Sequence, residues 1–148
     1  MILLSKSSKK TEKAAEILAR ELIKKSLSKK SAFVFGLEGE LGAGKTTFAK
    51  GFAKGLDVGL KISSPTFVLM KSYKLNTSNH KLLFHIDAYR LKGHEDLIKL
   101  GIKEIFNDSK SIVLIEWSDR IKKILPKQYT KIHIDHISEK ERKITVTN

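Results

Sequence analysis

Apolar and polar residues along the chain follow helical spacing in some segments and strand-like runs in others. After Thr11, which suits a helix N-cap, apolar residues within 14–22 recur three or four positions apart and predict a helix. The continuous apolar run at 32–37 predicts a buried strand. Apolar residues within 46–53 return to helical spacing, and this second helix is predicted to end near Gly55.

The middle of the chain predicts a pair of strands followed by a broken helix. Residues 61–65 form a predicted loop, because a proline at its end disfavours helix in the residue before it. Strands are predicted at 66–73 and 81–86, on either side of a polar turn at 76–79. Residues 93–106 predict a short, broken helical segment.

The last third of the chain predicts one buried strand and a hairpin. The uninterrupted aliphatic run at 112–115 is typical of a strand buried on both faces. Ser118 or Asp119 is predicted to cap a helix that stops before Pro126. Two alternating segments within 131–146, separated by a polar turn, predict a C-terminal β-hairpin.

Size and composition fit one globular domain. The chain has 148 residues, 41% of them hydrophobic, and no internal repeat or linker, which predicts a single α/β domain over 1–148. It contains no cysteine, so disulfides and thiolate metal sites are excluded. No apolar run approaches the ~20 residues of a membrane span, and the apolar start is shorter than the ~7-residue core of a signal peptide. We therefore expect a cytoplasmic protein that does not enter a membrane.

The formal net charge of +13 raises the possibility of a nucleic-acid partner. However, the lysines are spread along the whole chain, and aromatic residues do not interleave with them as in a base-stacking platform. We interpret the lysines as solvated surface that attracts RNA only weakly.

The residues between the first predicted strand and the second predicted helix match the P-loop, G-x-x-x-x-G-K-[ST]. The matching segment is Gly39–Thr46. A strand, a glycine loop and a helix together direct backbone N–H groups and the helix dipole at a bound phosphate. Lys45 offers a cation to the β- and γ-phosphates, and the Thr46 hydroxyl suits Mg²⁺. The motif therefore predicts nucleotide binding.

Two acidic residues at predicted strand ends are candidates for the metal or its water. Glu116 follows the aliphatic run at 112–115, and Asp87 follows the strand at 81–86. Carboxylates at the carboxyl ends of parallel strands lie near the ligand crevice. The same residues could equally cap the next turn, so both interpretations stay open. Trp117, beside Glu116, is interpreted as a packing residue.

Other polar residues give weaker signals. The hydroxyl-rich segment 63–66 could sense the γ-phosphate or the metal as a switch loop, although spacing alone favours a plain loop with a Ser/Thr turn. The five histidines show no metal-ligand spacing. Alternation places His85 with Asp87, and His133 with Asp135, on one strand face, which favours surface or core pairing over chemistry.

Four segments together resemble the signature set of the TsaE family, the P-loop ATPase component of bacterial tRNA threonylcarbamoyladenosine (t⁶A) biosynthesis. Their order and spacing match, and the similarity runs over nearly the whole chain, from about residue 11 to 142. The four segments are Gly39–Phe48, Ser64–Phe67, His85–Leu91 and Leu114–Ser118.

The resemblance implies a fold and a role for each matching residue. The fold is a small three-layer P-loop NTPase domain with a mixed, mainly parallel sheet, a C-terminal hairpin and no lid. Thr46 and Glu116 are implied as magnesium ligands, and Asp87, Lys45 and Thr66 as catalytic residues. The residues implied to bind ATP are Thr11, Glu40, Leu41, Gly42, Ala43, Gly44, Lys45, Thr46, Thr47 and Arg142.

The resemblance also implies ATP and Mg²⁺ as cofactors, and partners in the threonylcarbamoyl transferase complex, proteins of the TsaB and TsaD types. ATP hydrolysis, weak in the isolated protein, then resets that complex, and tRNA contacts the chain indirectly or weakly. One departure concerns Met70–Tyr73, which lacks the acidic residues common in the family and puts partner contacts through this strand in doubt.

Three other functions are less consistent with the sequence. A small P-loop kinase usually needs several arginines around the phosphoryl group and a closing lid, whereas this chain has only four scattered arginines. A GTPase needs an Asn-Lys-x-Asp guanine-reading segment, which is absent from the sequence. A non-enzymatic RNA-binding module would leave Lys45 and Glu116 without a purpose.

Overall fold

One mixed β-sheet lies between two layers of helices in the computed structural model, which describes residues 1–24, 30–58 and 68–148. The strands are β1 (Ile2–Ser5), β2 (Phe33–Glu38), β3 (Met70–Lys74), β4 (Leu82–Asp87), β5 (Ser111–Glu116), β6 (Thr130–His136) and β7 (Arg142–Thr147). The helices are α1 (Ser8–Lys24), α2 (Lys45–Gly55), α3 (Glu95–Lys99) and α4 (Ile102–Phe106), with a 3-10 helix at Ser118–Ile121.

The strand order is β1-β7-β6-β2-β5-β4-β3. Neighbouring strands from β6 to β4 run parallel, whereas β7, β1 and β3 pair antiparallel at the two edges. This confirms the expected α/β domain, with a mixed sheet that is parallel in its middle and a C-terminal hairpin formed by β6 and β7. The strand that leads into the P-loop, β2, therefore lies near the centre of the sheet.

The two faces of the sheet carry separate hydrophobic clusters. Every residue of β5 is buried, as expected for an aliphatic strand covered on both faces. On one face α1 and α2 pack through residues that include Phe48, Phe52 and Leu114. On the other face, the short helices α3 and α4 contribute Leu97 and Phe106.

Close packing between α1 and α2 fixes the helix that follows the P-loop. A side chain at Gly51 would overlap the backbone carbonyl of Glu12, so only glycine allows this approach. Behind it, the ring of Phe52 lies 4.8 Å from that of Phe35 on β2. Since α2 touches both α1 and β2, its N-terminus has a defined position relative to the strand ends.

The expected N-cap at Thr11 is wrong. Helix α1 already begins at Ser8, and the Ser7 hydroxyl accepts a hydrogen bond from the Lys10 N–H at 3.2 Å. Thr11 lies one turn inside the helix, where its buried hydroxyl contacts Ser5 Oγ at 2.7 Å. The sequence contains several hydroxyl residues in a row, so helical spacing alone could not place the cap.

Two further predictions need correction at their boundaries. The strand predicted at 66–73 begins only at Met70, because Val68 and Leu69 form a bend; residues 66 and 67 lie outside the described residues. The helix predicted after Ser118 is a four-residue 3-10 helix, and its N-cap is Trp117 instead of Ser118 or Asp119. Pro126 disfavours a longer helix in this segment.

Strand β1 was not predicted from the sequence. The prediction of a broken helix is confirmed. Residues 2–5 pair with β7 from the opposite end of the chain, a contact that local patterning does not reveal. The segment predicted as a broken helix forms α3 and α4, separated by Gly101 at φ 82°. The loop predicted at 61–65 lies outside the described residues. In the described part of the chain, no helix combines the length and apolar character needed to span a bilayer.

Candidate functional site

The P-loop connects the carboxyl end of β2 to the amino end of α2. Gly44 precedes the first residue of α2 with φ 104°, a conformation that favours glycine, and no side chain caps this helix end. The first amides of α2 have no partner within the helix, so they are available to an anion. They face a cavity of about 450 Å³ lined by Leu41, Gly42, Gly44, Lys45, Thr46, Thr47, Asp87, Tyr89, Arg90, Glu116 and Trp117.

Lys45 is buried at the base of this cavity. Its Nζ donates hydrogen bonds of 2.8 Å to the carbonyls of Gly39 and of Glu40, so the side chain folds back along its own loop. Burial lowers the pKa of Lys45 below its ordinary value, and the nearby carboxylates, Glu116 foremost, only partly offset this effect. The cation is thus prepositioned beside the amides that would surround a phosphate.

Trp117 covers the opposite side of this lysine. Its ring centroid lies 3.6 Å from Lys45 Nζ, at cation–π distance. The backbone of Trp117 has φ 60°, an uncommon value for a bulky residue, and this conformation follows directly after the last residue of β5. The sequence predicts a packing role for Trp117. The structure places it in contact with Lys45 of the P-loop, which no local sequence signal indicates.

Thr46 and Glu116 meet although 70 residues separate them. The Thr46 hydroxyl donates a 3.1 Å hydrogen bond to Glu116 Oε2. In the sheet, Glu116 is the register partner of Asp87, so the last residues of β5 and β4 lie side by side at the same edge. Asp87 is half-buried and lines the cavity, and its Oδ1 accepts the Tyr89 N–H at 2.9 Å.

These oxygen donors suit Mg²⁺ better than a tightly bound transition metal. A hydroxyl and a carboxylate are hard ligands, and Mg²⁺ typically takes one or two protein oxygens, substrate phosphates and water. Among the described residues, no group of three His, Cys, Asp or Glu side chains could hold a metal by itself. The donor set therefore fits a metal that arrives with a nucleotide.

His85 is a second residue whose contact the sequence did not indicate. Alternation places it on one strand face with Asp87, but its Nε2 lies 2.8 Å from Glu116 Oε1 on the neighbouring strand. Both side chains are buried. In contrast, His133 contacts Asp135 on its own strand at 3.1 Å, the surface pairing that alternation favours.

A smaller cavity of about 180 Å³ adjoins the P-loop on its other side. It is lined by Ser8, Thr11, Gly42, Gly44, Thr47, Glu139, Lys140 and Arg142. Arg142 Nε donates to the Ala43 carbonyl at 3.0 Å, so β7 supports the P-loop directly. The structure thus brings Thr11 and Arg142 together beside the P-loop, and the ATP-binding role that the resemblance implies for them stays a prediction.

The other predicted site residues differ in their surroundings. Leu41 is 74% exposed at the tip of the P-loop, whereas Ala43 is fully buried. Glu40 lines a separate cleft behind the loop. Thr66 and the rest of the hydroxyl segment 63–66 lie outside the described residues, so the expected switch loop stays a prediction.

Comparison with known proteins relates the chain to one family. The family model described as "Threonylcarbamoyl adenosine biosynthesis protein TsaE" matches residues 5–144. A "tRNA threonylcarbamoyladenosine biosynthesis protein TsaE" of Bacillus subtilis is 40% identical over 114 residues, covering 77% of this chain and 68% of that protein. Its namesake from Haemophilus influenzae is 37% identical over 128 residues, covering 86% and 75%. The crystal structure of YdiB from Bacillus subtilis superposes with a TM-score of 0.71 at 32% identity, covering 99% of this chain and 83% of that one.

Proposed function

The chain belongs to the TsaE family, and from this premise we propose that it binds and hydrolyses MgATP during tRNA threonylcarbamoyladenosine biosynthesis. The observation that carries the nucleotide part is the convergence of Lys45, Thr46 and Glu116 at the P-loop. The pathway follows from the family and from the names of its curated members.

Each part of the site has a distinct role in this proposal. The P-loop amides and Lys45 bind the phosphates, and release of the Lys45 ammonium from its two carbonyl partners lets it follow the charge toward the γ-phosphate. Thr46 and Glu116 would hold Mg²⁺, which neutralises phosphate charge when bound. Asp87 lies beside Glu116 at the cavity wall, where its carboxylate can orient a water molecule for attack.

We propose that turnover is linked to proteins of the transferase complex, of the TsaB and TsaD types. The cavity is open, and no described element covers it, which leaves room for a partner protein to exclude water in the reacting state. This supports a weak ATPase that becomes efficient in the complex. Because the pathway acts on tRNA, we place the protein in the cytoplasm, with tRNA as an indirect or weak contact.

The test of this proposal compares two lysines of the same helix. Lys45→Ala removes the buried cation of the cavity, whereas Lys50→Ala removes an exposed one. We expect calorimetry to show no ATP binding by Lys45→Ala and unchanged binding by Lys50→Ala, with both variants folded by circular dichroism. Equal ATP binding by the wild type and Lys45→Ala would refute the site.

The pathway is tested separately in cells depleted of this protein. We expect the t⁶A content of tRNA to fall on depletion, to recover with the wild type and with Lys50→Ala, and to stay low with Lys45→Ala. Normal t⁶A in depleted cells would refute the pathway and leave the nucleotide site to the binding experiment.

A further inference from the structure

His85 is the only described histidine in contact with a proposed metal ligand, and its surroundings are unusual. Its side chain is fully buried on β4. It lies on the same sheet face as Leu83 and Leu114, which is the face that α2 covers. Its Nε2 lies 2.8 Å from Glu116 Oε1, while no atom in the described structure bonds to its Nδ1. Burying a polar side chain with only one hydrogen-bond partner costs free energy, so its position needs an explanation.

The contact with Glu116 defines the role of the His85 Nε2 atom. Glu116 Oε1 is a carboxylate oxygen and accepts a hydrogen bond, so His85 donates to it from Nε2. The imidazole N–H therefore points at the carboxylate across the two strands.

We propose that His85 is a positioning residue for the magnesium ligand Glu116. The inference rests on the proposed function of the P-loop site. Hydrogen bonds from two directions fix the carboxylate: His85 holds Oε1 from β4, and Thr46 holds Oε2 from α2. With Oε1 occupied by a protein donor, Oε2 is the oxygen that faces the Thr46 hydroxyl and is presented to the metal.

The sheet register explains why this contact needs a histidine at this place. Asp87, not His85, is the direct register partner of Glu116, and its Oδ1 is bound to the Tyr89 N–H. His85 pairs in register with Leu114, so it reaches Glu116 diagonally across the parallel strands. A long side chain with a donor at its end can span this diagonal. Donors behind a ligating carboxylate typically change metal affinity by about 10- to 100-fold.

A pair of substitutions separates positioning from packing. His85→Leu introduces an apolar side chain of similar size and removes the donor, whereas His85→Gln keeps an N–H donor near the position of Nε2. We expect the Mg²⁺ concentration that half-saturates its effect on ATP binding to rise about 10-fold or more in His85→Leu. In His85→Gln this concentration is expected to stay within about threefold of the wild type. ATP binding in excess chelator should be the same in all three proteins.

His80 provides the matched control. It is also buried, and its Nδ1 also has no partner in the described structure, but it lies in the turn before β4 and contacts Phe33 edge-on. His80→Leu should therefore change stability as a buried histidine substitution does and leave the Mg²⁺ dependence unchanged. A shift of the same size in His80→Leu and His85→Leu would overturn the positioning role.

The wild-type protein gives a readout that does not depend on any variant folding. Nitrogen-15 NMR of the imidazole ring is expected to show a proton on His85 Nε2, the donor to Glu116. An Nε2 atom without a proton would overturn the inference. If the wild type binds ATP in a Mg²⁺-dependent way and His85→Leu behaves identically, the inference fails alone; if the wild type binds no nucleotide, the proposed function and the inference fail together.

Discussion

Two buried glutamates, one near each end of α2, have different partners. Glu16, on α1, is 5% exposed, and Lys13, Arg20 and Lys54 approach its carboxylate at 3.2, 3.0 and 4.0 Å. Glu116, at the end of β5, is 2% exposed, and among the described residues no lysine or arginine forms an ion pair with it. Its partners are a hydroxyl and an imidazole.

The difference shows which buried carboxylate is available to a cation. A buried charge needs compensation, and the three cations around Glu16 supply it within the protein, at the junction of α1 and α2. The cation of the same cavity, Lys45, is held by two backbone carbonyls and by Trp117 instead. Among the described residues, no lysine or arginine pairs with the Glu116 carboxylate, whereas three approach that of Glu16. We expect Mg²⁺ to take the place of these cations at Glu116.

Replacing each glutamate by glutamine is expected to have the largest effect, on ATP turnover at one position and on thermal stability at the other. Glu116→Gln is expected to lower ATP turnover by about 1,000-fold, which corresponds to about 4 kcal/mol of transition-state stabilisation. It should leave the melting temperature equal or higher, because an incompletely compensated buried charge is removed. Glu16→Gln is expected to do the opposite: unchanged turnover and a lower melting temperature. Steady-state kinetics and thermal melts of both variants measure these opposite effects. Equal turnover in the two variants would contradict the prediction.

Asp87→Asn tests whether the cavity's chemistry depends on Glu116 alone. Asp87 is half-buried beside Glu116, and its Oδ1 also fixes the Tyr89 backbone, an interaction that asparagine preserves. We expect kcat to fall about 100-fold, the lower range for loss of a general base, with ATP affinity nearly unchanged. Single-turnover kinetics and calorimetry measure the two quantities. A larger loss in binding than in turnover would assign Asp87 to the metal instead of to the water.

Trp117→Leu tests whether the indole keeps Lys45 away from Glu116. Without the ring, Lys45 loses a contact worth about 0.5 to 2 kcal/mol and can turn toward the carboxylate, which would then resemble Glu16. We expect the Mg²⁺ requirement for ATP binding to rise about fivefold. Trp117→Phe keeps an aromatic face and serves as the control. Equal Mg²⁺ requirements in Trp117→Leu and the wild type would show that the backbone carbonyls alone hold the lysine.

The sequence predicted those parts of the site that depend on chain-local geometry. The P-loop needs a strand, a glycine loop and a helix in succession, and all of them are contiguous around Lys45. Even the approach of Thr46 to Glu116 could be anticipated, because the carboxyl ends of parallel strands converge at one sheet edge. Strands β2 and β5 could also be predicted from the sequence, since a strand buried on both faces is a continuous apolar run.

What the sequence could not predict depends on contacts between distant segments. Strand β1 exists because β7 provides its pairing partner, and four residues show too little alternation to reveal it. The link between His85 and Glu116 runs diagonally between strands, so it requires the register as well as the strand order. The position of Trp117 over Lys45 depends on one left-handed backbone residue, which sequence patterns of this kind do not specify.

The smallest expected effect is the loss of stability at low pH that follows from protonation of Glu16. The hydrogen bond from Lys13, assisted by the charges of Lys13, Arg20 and Lys54, lowers the pKa of Glu16 below its usual value of about 4.5. The folded state thus holds the charged form more tightly than the unfolded chain does. The resulting stabilisation is fully present above pH 4.5 and is lost as the pH falls through the lower folded pKa.

Thermal melts of the wild type and Glu16→Gln between pH 7 and pH 3 should therefore converge toward the acid end. The difference at neutral pH is expected to be small, because all three cations are more than half exposed and water screens them. Glu21→Gln is the matched control, since Glu21 lies on the same helix with a largely exposed side chain. A constant difference between wild type and Glu16→Gln at every pH would mean that packing of the side chain, and not its charge, stabilises the contact of α1 with α2.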